Sequence, residues 1–294
     1  MGVVCMLLWS CTATLISLGG QNVGAWQFLC LTGLVGGVGQ LAYYAARGQL
    51  RGCLVMPWRF WLLTGLFVTY GLMFPLSLMW SLGQQVYEVN LLNYAWPVLT
   101  VVLAVLWVPG TRMTLRLFVA IALAAGGLAI ANWDPLWNLL TRGMVRDNPW
   151  PYVLAGMAGV LWAAYSALLS RWTSVARHHA TTPVGFILIG LISGAVCLAG
   201  HGWASPDPMG WVAMLGLSLG PYGAGYLLWE LALHRAPASV LGLMAASLPA
   251  LSTLLMGAVM QNGFKPHLLI AAGVVSASVV LGNLSGPKNE GRAT

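Results

Sequence analysis

Along most of this chain the hydrophobic residues do not alternate with polar ones; they run. Ten mostly apolar stretches, 2–19, 26–46, 58–80, 84–108, 115–132, 150–171, 182–203, 210–232, 236–260 and 267–285, are separated by short polar or turn-forming segments. Each is close to the roughly 20 residues that an α-helix needs to cross a bilayer. Breakers stand between most of them: Gly19-Gly20-Gln21-Asn22, Arg47-Gly48, Pro109-Gly110, Pro206-Asp207-Pro208 and Asn262-Gly263. Strands of a membrane barrel would alternate polar and apolar over about ten residues, and these runs are too long and too uniform for that. The pattern predicts an all-α integral membrane protein with ten transmembrane helices. Residues 1–10 contain no Lys or Arg, unlike the basic start of a cleaved signal peptide, so the first run is read as a retained helix.

Composition agrees. Of the 294 residues, 59% are hydrophobic and 6% charged, and the mean hydropathy is +0.80. A soluble domain carries about 25% charged residues. A cytosolic enzyme, a secreted disulfide scaffold and a disordered chain are excluded. The net charge of +7 does not indicate a nucleic-acid partner, because the basic residues are scattered singly. Their distribution has another cause. Ten spans put both termini on one side, which then receives Arg47, Arg51, Arg59, Arg112, Arg116, Arg171, Arg177, Arg235, Lys288 and Arg292. The other side receives Arg142, Arg146 and Lys265. The positive-inside rule makes the first side cytoplasmic. Most Trp residues lie near span ends, as an interfacial belt should; Trp9, Trp96 and Trp162 are mid-span, and Trp229 is within a turn of the end of its span. The five cysteines form no CxxC pair, so neither a zinc site nor a redox pair is expected.

The halves 1–146 and 147–294 can be laid over each other. Leu8-Trp9 matches Leu161-Trp162, Gly33 to Gly37 matches Gly190 to Gly194, Tyr70-Gly71 matches Tyr222-Gly223, Pro97 matches Pro249, and Asn132 matches Asn283. The offsets are 153, 157, 152, 152 and 151, so each half is expected to be one five-helix repeat. Because five is odd, the second copy enters from the opposite side, giving inverted topology, a transporter architecture suited to alternating access.

Ten helices in a five-plus-five inverted repeat, with a proline midway in the fourth and ninth, resemble the drug/metabolite transporter superfamily, and its EamA-type exporters in particular. The segment Asn90-Leu91-Leu92-Asn93-Tyr94-Ala95-Trp96-Pro97 resembles that of the YddG proteins, bacterial inner-membrane exporters of aromatic and other amino acids. The resemblance implies a multi-pass protein of the bacterial inner membrane that exports amino acids. It also implies a substrate cavity lined by helices 1, 3, 4, 6, 8 and 9, with helices 5 and 10 peripheral. A multidrug or other metabolite exporter of the same fold is the alternative.

The fourth span carries the clearest polar stripe. Asn90, Asn93, Tyr94 and Pro97 fall at i, i+3, i+4 and i+7, one helical face. Polar groups facing acyl chains are costly, so this face looks inward, onto a cavity or onto neighbouring helices as hydrogen-bond glue. The matching face of the ninth span is Gly242, Ala245, Ala246 and Pro249. One half supplies amides and a phenol, the other space. A zwitterionic amino acid needs donors and acceptors for both charged groups, which two Asn can provide. The repeat-related aromatics Trp9 and Trp162, and Tyr70 and Tyr222, join the stripes Tyr222-Tyr226-Trp229 and Trp162-Tyr165-Ser166. With Trp96 they make either a box for a flat or cationic ligand or ordinary packing. Pro75, Pro97, Pro221 and Pro249 are candidate hinges, or prolines that membrane helices simply tolerate. The GxxxG pairs Gly33/Gly37 and Gly190/Gly194 read as close helix packing. Glu88, roughly 6 Å from the outer end of its span, and Glu230, near His234 and Arg235, are candidates for proton coupling. No Asp, Glu or His stands at the centre of a span, which argues against tight coupling.

Catalytic patterns lack their context. Gly216-Leu217-Ser218-Leu219-Gly220 matches a nucleophile elbow but lies in an apolar helix, not at a strand–turn–helix. Gly37-Val38-Gly39 follows no strand, and His178-His179 have no third ligand nearby. An intramembrane enzyme therefore has no assembled catalytic group, and no cofactor or metal is expected. The expected partners are small-molecule substrates and the lipid bilayer, around a monomer.

Overall fold

A computed structural model describes residues 1–19, 23–81, 85–144, 147–172, 179–200, 202–249, 251 and 267–283. Every regular element among the described residues is helical. Arg146, Arg177, His178, His201, Lys265, Lys288, Arg292 and the Asn262-Gly263 breaker lie outside them. Among the described residues, four helical stretches are long and apolar enough to cross a membrane: Ala25–Ala46, Trp58–Met79, Gln85–Trp107 and Trp150–Trp172. The first is α3, the second α5 and the fourth α10. The third is broken into α6 (Gln85–Asn93) and α7 (Trp96–Trp107). Before α3 come α1 (Gly2–Ser10) and α2 (Thr12–Gly19), and between α3 and α5 lies the short α4 (Leu50–Leu54). The run predicted at 115–132 is α8 (Leu115–Ala131), started by Thr114, whose hydroxyl accepts from the Leu117 amide at 3.1 Å. It is followed by α9 (Trp133–Arg142), bent 83° from α8, which the apolar runs do not announce. In the second half come α11 (Thr182–Leu198), α12 (Pro208–Leu217), a π-helical segment (Ser218–Gly225), α13 (Tyr226–Leu233), α14 (Ala238–Ala245) and α15 (His267–Asn283). Asp207 caps α12 and Pro208 opens it.

The prolines decide where the long helices break. A proline cannot donate to the carbonyl four residues back, and its ring clashes with it. Four residues before Pro97 is Asn93, the last residue of α6; four before Pro249 is Ala245, the last of α14; four before Pro221 is Leu217, the last of α12. Pro97 and Pro249 thus sit just past two-residue turns, Tyr94-Ala95 and Ala246-Ser247. Pro221 lies inside the π-helical segment, and Pro75 lies inside α5, which stays continuous. The wider π turn frees carbonyls for side chains. Trp9 Nε1 donates to Pro221 O at 3.2 Å, and Gln40 Nε2 to Tyr222 O and Gly223 O at 2.8 and 3.0 Å.

Polar groups turn inward and apolar ones outward, the reverse of a soluble protein. Gln40, Thr64, Thr100, Thr181, Ser193 and Glu230 are buried, while Leu106, Phe118, Leu191 and Val212 are exposed. Contacts sort the helix ends. Trp58 meets Trp172, Arg171 donates to Trp107 O, His179 reaches Gly52 O, and Arg235 reaches Met1 Sδ at one end, the basic end. At the opposite end Trp26 meets Trp80, Gln27 bonds Ala204, and Asn148 bonds Trp80 O and Gln85. Between these ends α3 packs on α11, α8 on α15 and α7 on α14, while α10 packs on α5, α6 and α7. The α3–α11 contact is close: at Gly33 it is backbone to backbone, where a Cβ would stand 2.9 Å from Gly190 N, which is the close packing the GxxxG pairs predict.

Candidate functional site

Between the central helices lies a small cavity with room for about 50 Å3 of water-sized groups. It holds a few waters at most, so an aromatic amino acid enters only if a helix or side chain shifts. Of the candidate residues, Trp9, Tyr70, Asn90, Asn93, Tyr94, Trp96, Trp162 and Tyr226 line it, and Thr12, Phe74, Leu78 and Leu248 complete the wall. The lining comes from α1, α2, α5, α6, the turn between α6 and α7, α7, α10, α13 and Leu248, just past the turn that follows α14. These correspond to the first, third, fourth, sixth, eighth and ninth predicted spans. None of the lining residues is charged.

Trp9 sits at the hub. Its ring is 5.0 Å from Tyr226, 5.7 Å from Trp162 and 6.1 Å from Trp96, and the bond from Nε1 to Pro221 O fixes its orientation. Tyr70 lies 4.8 Å from Trp162, and its hydroxyl meets that of Tyr226 at 3.1 Å. Asn93 ends α6 only 2% exposed, and its Oδ1 has no hydrogen-bond partner. It is a buried orphan acceptor on a residue of the cavity wall.

Tyr165, Tyr222 and Trp229 do not line the cavity; Tyr165 and Trp229 back it on the basic side, while Tyr222 lies a turn from Tyr226 towards the opposite end. Trp162 stacks on Tyr165 at 5.0 Å, Trp229 donates to Ser166 Oγ at 3.2 Å, and Tyr222 stacks on Phe186. Beneath them Glu230, fully buried, caps the N-terminus of α11. It accepts from Thr181 N at 2.7 Å and Thr181 Oγ1 at 2.8 Å, and Thr182 Oγ1 lies 2.9 Å from its other oxygen. Tyr165 OH lies 2.7 Å from Thr181 Oγ1, and Thr182 Oγ1 is 2.7 Å from Gln40 Oε1. A carboxylate on two N-terminal hydroxyls and an amide matches the helix dipole. His234, just past α13, is held below its usual pKa by burial, with Glu230 opposing and Arg235 adding to the effect. Towards the opposite end Glu88 accepts from the Tyr152 hydroxyl.

Phe74 and Leu78 were legible as a continuation of the Tyr70 stripe at i+4 and i+8, and Thr12 as the i+3 neighbour of Trp9. Leu248 had no such signal, because the break at Ala246-Ser247 resets the helical phase.

No family model matches the chain. Its sequence is similar to aromatic amino acid exporters named YddG. That of Ancylobacter novellus is 28% identical over 259 residues, 87% of this chain and 86% of its own. That of Salmonella typhimurium is 25% identical over 284 residues, 89% of this chain and 88% of its own. That of Escherichia coli is 31% identical over 117 residues, 36% of this chain and 37% of its own. A solved structure titled only as the crystal structure of a protein superposes with a TM-score of 0.83 at 22% identity, covering 98% of this chain and 97% of that one. It shares the fold. Along nearly its whole length, then, the chain is similar to the YddG exporters of the drug/metabolite transporter superfamily.

Proposed function

We propose that this protein is a ten-span bacterial inner-membrane exporter of amino acids, aromatic ones among them. In this reading it works as a monomer by alternating access between two inverted five-helix repeats, 1–146 and 147–294, with both termini in the cytoplasm. The observation that carries the substrate class is the orphan Asn93 Oδ1 beside an uncharged aromatic cavity, which a substrate reaches once a helix or side chain shifts. A buried acceptor without a partner costs about 1–3 kcal/mol, and a substrate ammonium N–H relieves that cost. The π faces of Trp9, Trp96 and Trp162 suit an aromatic side chain or the ammonium itself. The side-chain N–H groups of Asn90 and Asn93 can reach a carboxylate. The exporter names of the relatives support the same class.

Two features favour the inverted repeat. The matched prolines Pro97 and Pro249 break matched helices at matched places, each four residues after a helix end. The pairs α3 with α11, α8 with α15 and α7 with α14 each join corresponding helices of the two halves, as a pseudo-two-fold axis between them requires. Alternating access fits the asymmetry of the site: Asn90, Leu78 and Phe74 line the cavity towards the less basic end, while Trp229, Tyr165 and the Glu230 cap close the basic end. Pro75, Pro97, Pro221 and Pro249 are the proposed hinges. Glu88 and Glu230 are the proposed coupling groups, and each must exchange its present hydrogen bonds to serve. Because the cavity is uncharged, flat drugs or other metabolites form the second reading; sugar phosphates would want Lys or Arg at mid-depth.

The test is uptake of radiolabelled amino acids into proteoliposomes, with and without a pH gradient. Uptake of aromatic amino acids by the natural protein and its loss in Asn93→Ala are expected. If no amino acid enters under either condition, the reading fails and a drug and metabolite panel replaces it. Dependence on the gradient that Glu88→Gln or Glu230→Gln abolishes would assign the coupling group.

A further inference from the structure

α9 is a helix that the protein does not cover. It departs from α8 at 83°, so if α8 crosses the membrane α9 runs close to the membrane plane. At about 100° per residue its ten residues divide into two arcs. Trp133, Leu136, Trp137 and Leu140 fall on one, Asp134, Asn138, Thr141 and Arg142 on the other. In a globular protein the apolar arc would be buried. Here no residue of α9 is buried; Trp133 is 53% exposed, Trp137 54% and Leu140 71%. The two indoles stack on each other at 5.8 Å with their planes 20° apart. Leu139, at the edge of the apolar arc, packs into the protein beside Val89, Tyr152 and Ala155.

The surroundings say what covers this face. The start of α10, at the same end of the bundle, exposes Trp150, Val153 and Met157 at i, i+3 and i+7. That stripe lies on a helix apolar enough to cross a membrane, so lipid tails face it. The apolar arc of α9 thus sits at the edge of a lipid-facing surface, turned across it. Indoles favour the boundary between headgroups and acyl chains, and a short helix with a polar and an apolar arc lies in that plane.

We infer that α9 is an interfacial helix that binds the surface of the bilayer, its two indoles in the headgroup–acyl boundary and its Asp134–Asn138–Thr141–Arg142 arc in water. The helix joins the two halves of the chain. Leu139 fixes it beside Val89 and Tyr152, so its depth sets the position of the end of α6 that precedes Asn90. The inference stands whichever solute is carried.

The test uses the full chain and a Trp133→Phe/Trp137→Phe variant, which keeps two aromatic anchors so that the helix stays docked. Both are reconstituted into phosphatidylcholine vesicles brominated either near the headgroup end or near the chain end. The difference in tryptophan emission between the two proteins is the emission of the pair. Bromines near the headgroups are expected to quench it more than bromines near the chain ends, with iodide in the water quenching it least. Strong quenching by iodide and none by either lipid would put α9 in water and overturn the inference. Stronger quenching by the deep bromines would bury it in the core and overturn it as well. Protection from all three quenchers, with a cross-linked dimer, would assign the face to a second copy instead.

Discussion

Asn93 ends α6 because Pro97, four residues on, cannot donate to its carbonyl, and its side chain is left with an unpartnered Oδ1. These two facts separate stability from transport. Replacing Asn93 with Leu removes a buried polar group that has no acceptor bond, so unfolding in detergent should shift little, or rise by up to about 1–3 kcal/mol. Uptake should fall to background. A large loss of thermal stability in Asn93→Leu would show instead that the amide holds the helices together. The inward face Asn90-Asn93-Tyr94 was legible because helical spacing puts these residues together. The orphaned oxygen was not legible, nor was the bond from Trp9 to the Pro221 carbonyl, which spans 212 positions. Spacing reports which residues share a face; only the assembled helices decide which of their atoms find partners.

Among the elements, α3 and α11 meet backbone to backbone at Gly33, with the Leu34 and Ile187 side chains seated on Gly190 and Gly37. A Cβ at Gly33 would stand 2.9 Å from Gly190 N and 3.0 Å from Phe186 O, both backbone atoms that cannot rotate away. At Gly39 on the same helix the nearest atom would be the Leu219 side chain, at an ordinary 3.5 Å. Gly33→Ala should therefore destabilise by about 1–3 kcal/mol, whereas Gly39→Ala should be neutral or slightly stabilising through helix propensity. Thermal unfolding of the two variants in one detergent decides this; equal effects would show that the helices have room to part. The small-residue spacing announced this contact, and the apolar runs announced the long helices. Besides the short α4, two elements stayed hidden. α9 mixes Asp134, Asn138 and Arg142 among its apolar residues, so no run marks it. The π-helical segment reads as an apolar helix because its signature is a hydrogen-bond register, not a composition.

For the molecule as a whole, the basic end is held by one buried carboxylate. Glu230 joins α13 to α11 directly, and through Thr181 and Thr182 to Tyr165 of α10 and Gln40 of α3. Glu230→Gln keeps the shape but gives up one acceptor oxygen and the charge at the N-terminus of α11, so a loss of about 1–3 kcal/mol is expected on unfolding. Thr182→Val, which keeps the Thr181 bonds, should cost less; an equal cost would put the weight of the junction on Thr182. The scatter of Arg residues told which ends belong together, but the knot beneath them joins residues up to 190 positions apart and lies beyond any local pattern. The cavity above it is small and uncharged. Towards the basic end it backs onto the buried rings of Trp162 and Trp229. A solute resting in the cavity meets these indoles before it meets the Glu230 knot, so passing on towards the basic end means turning them aside.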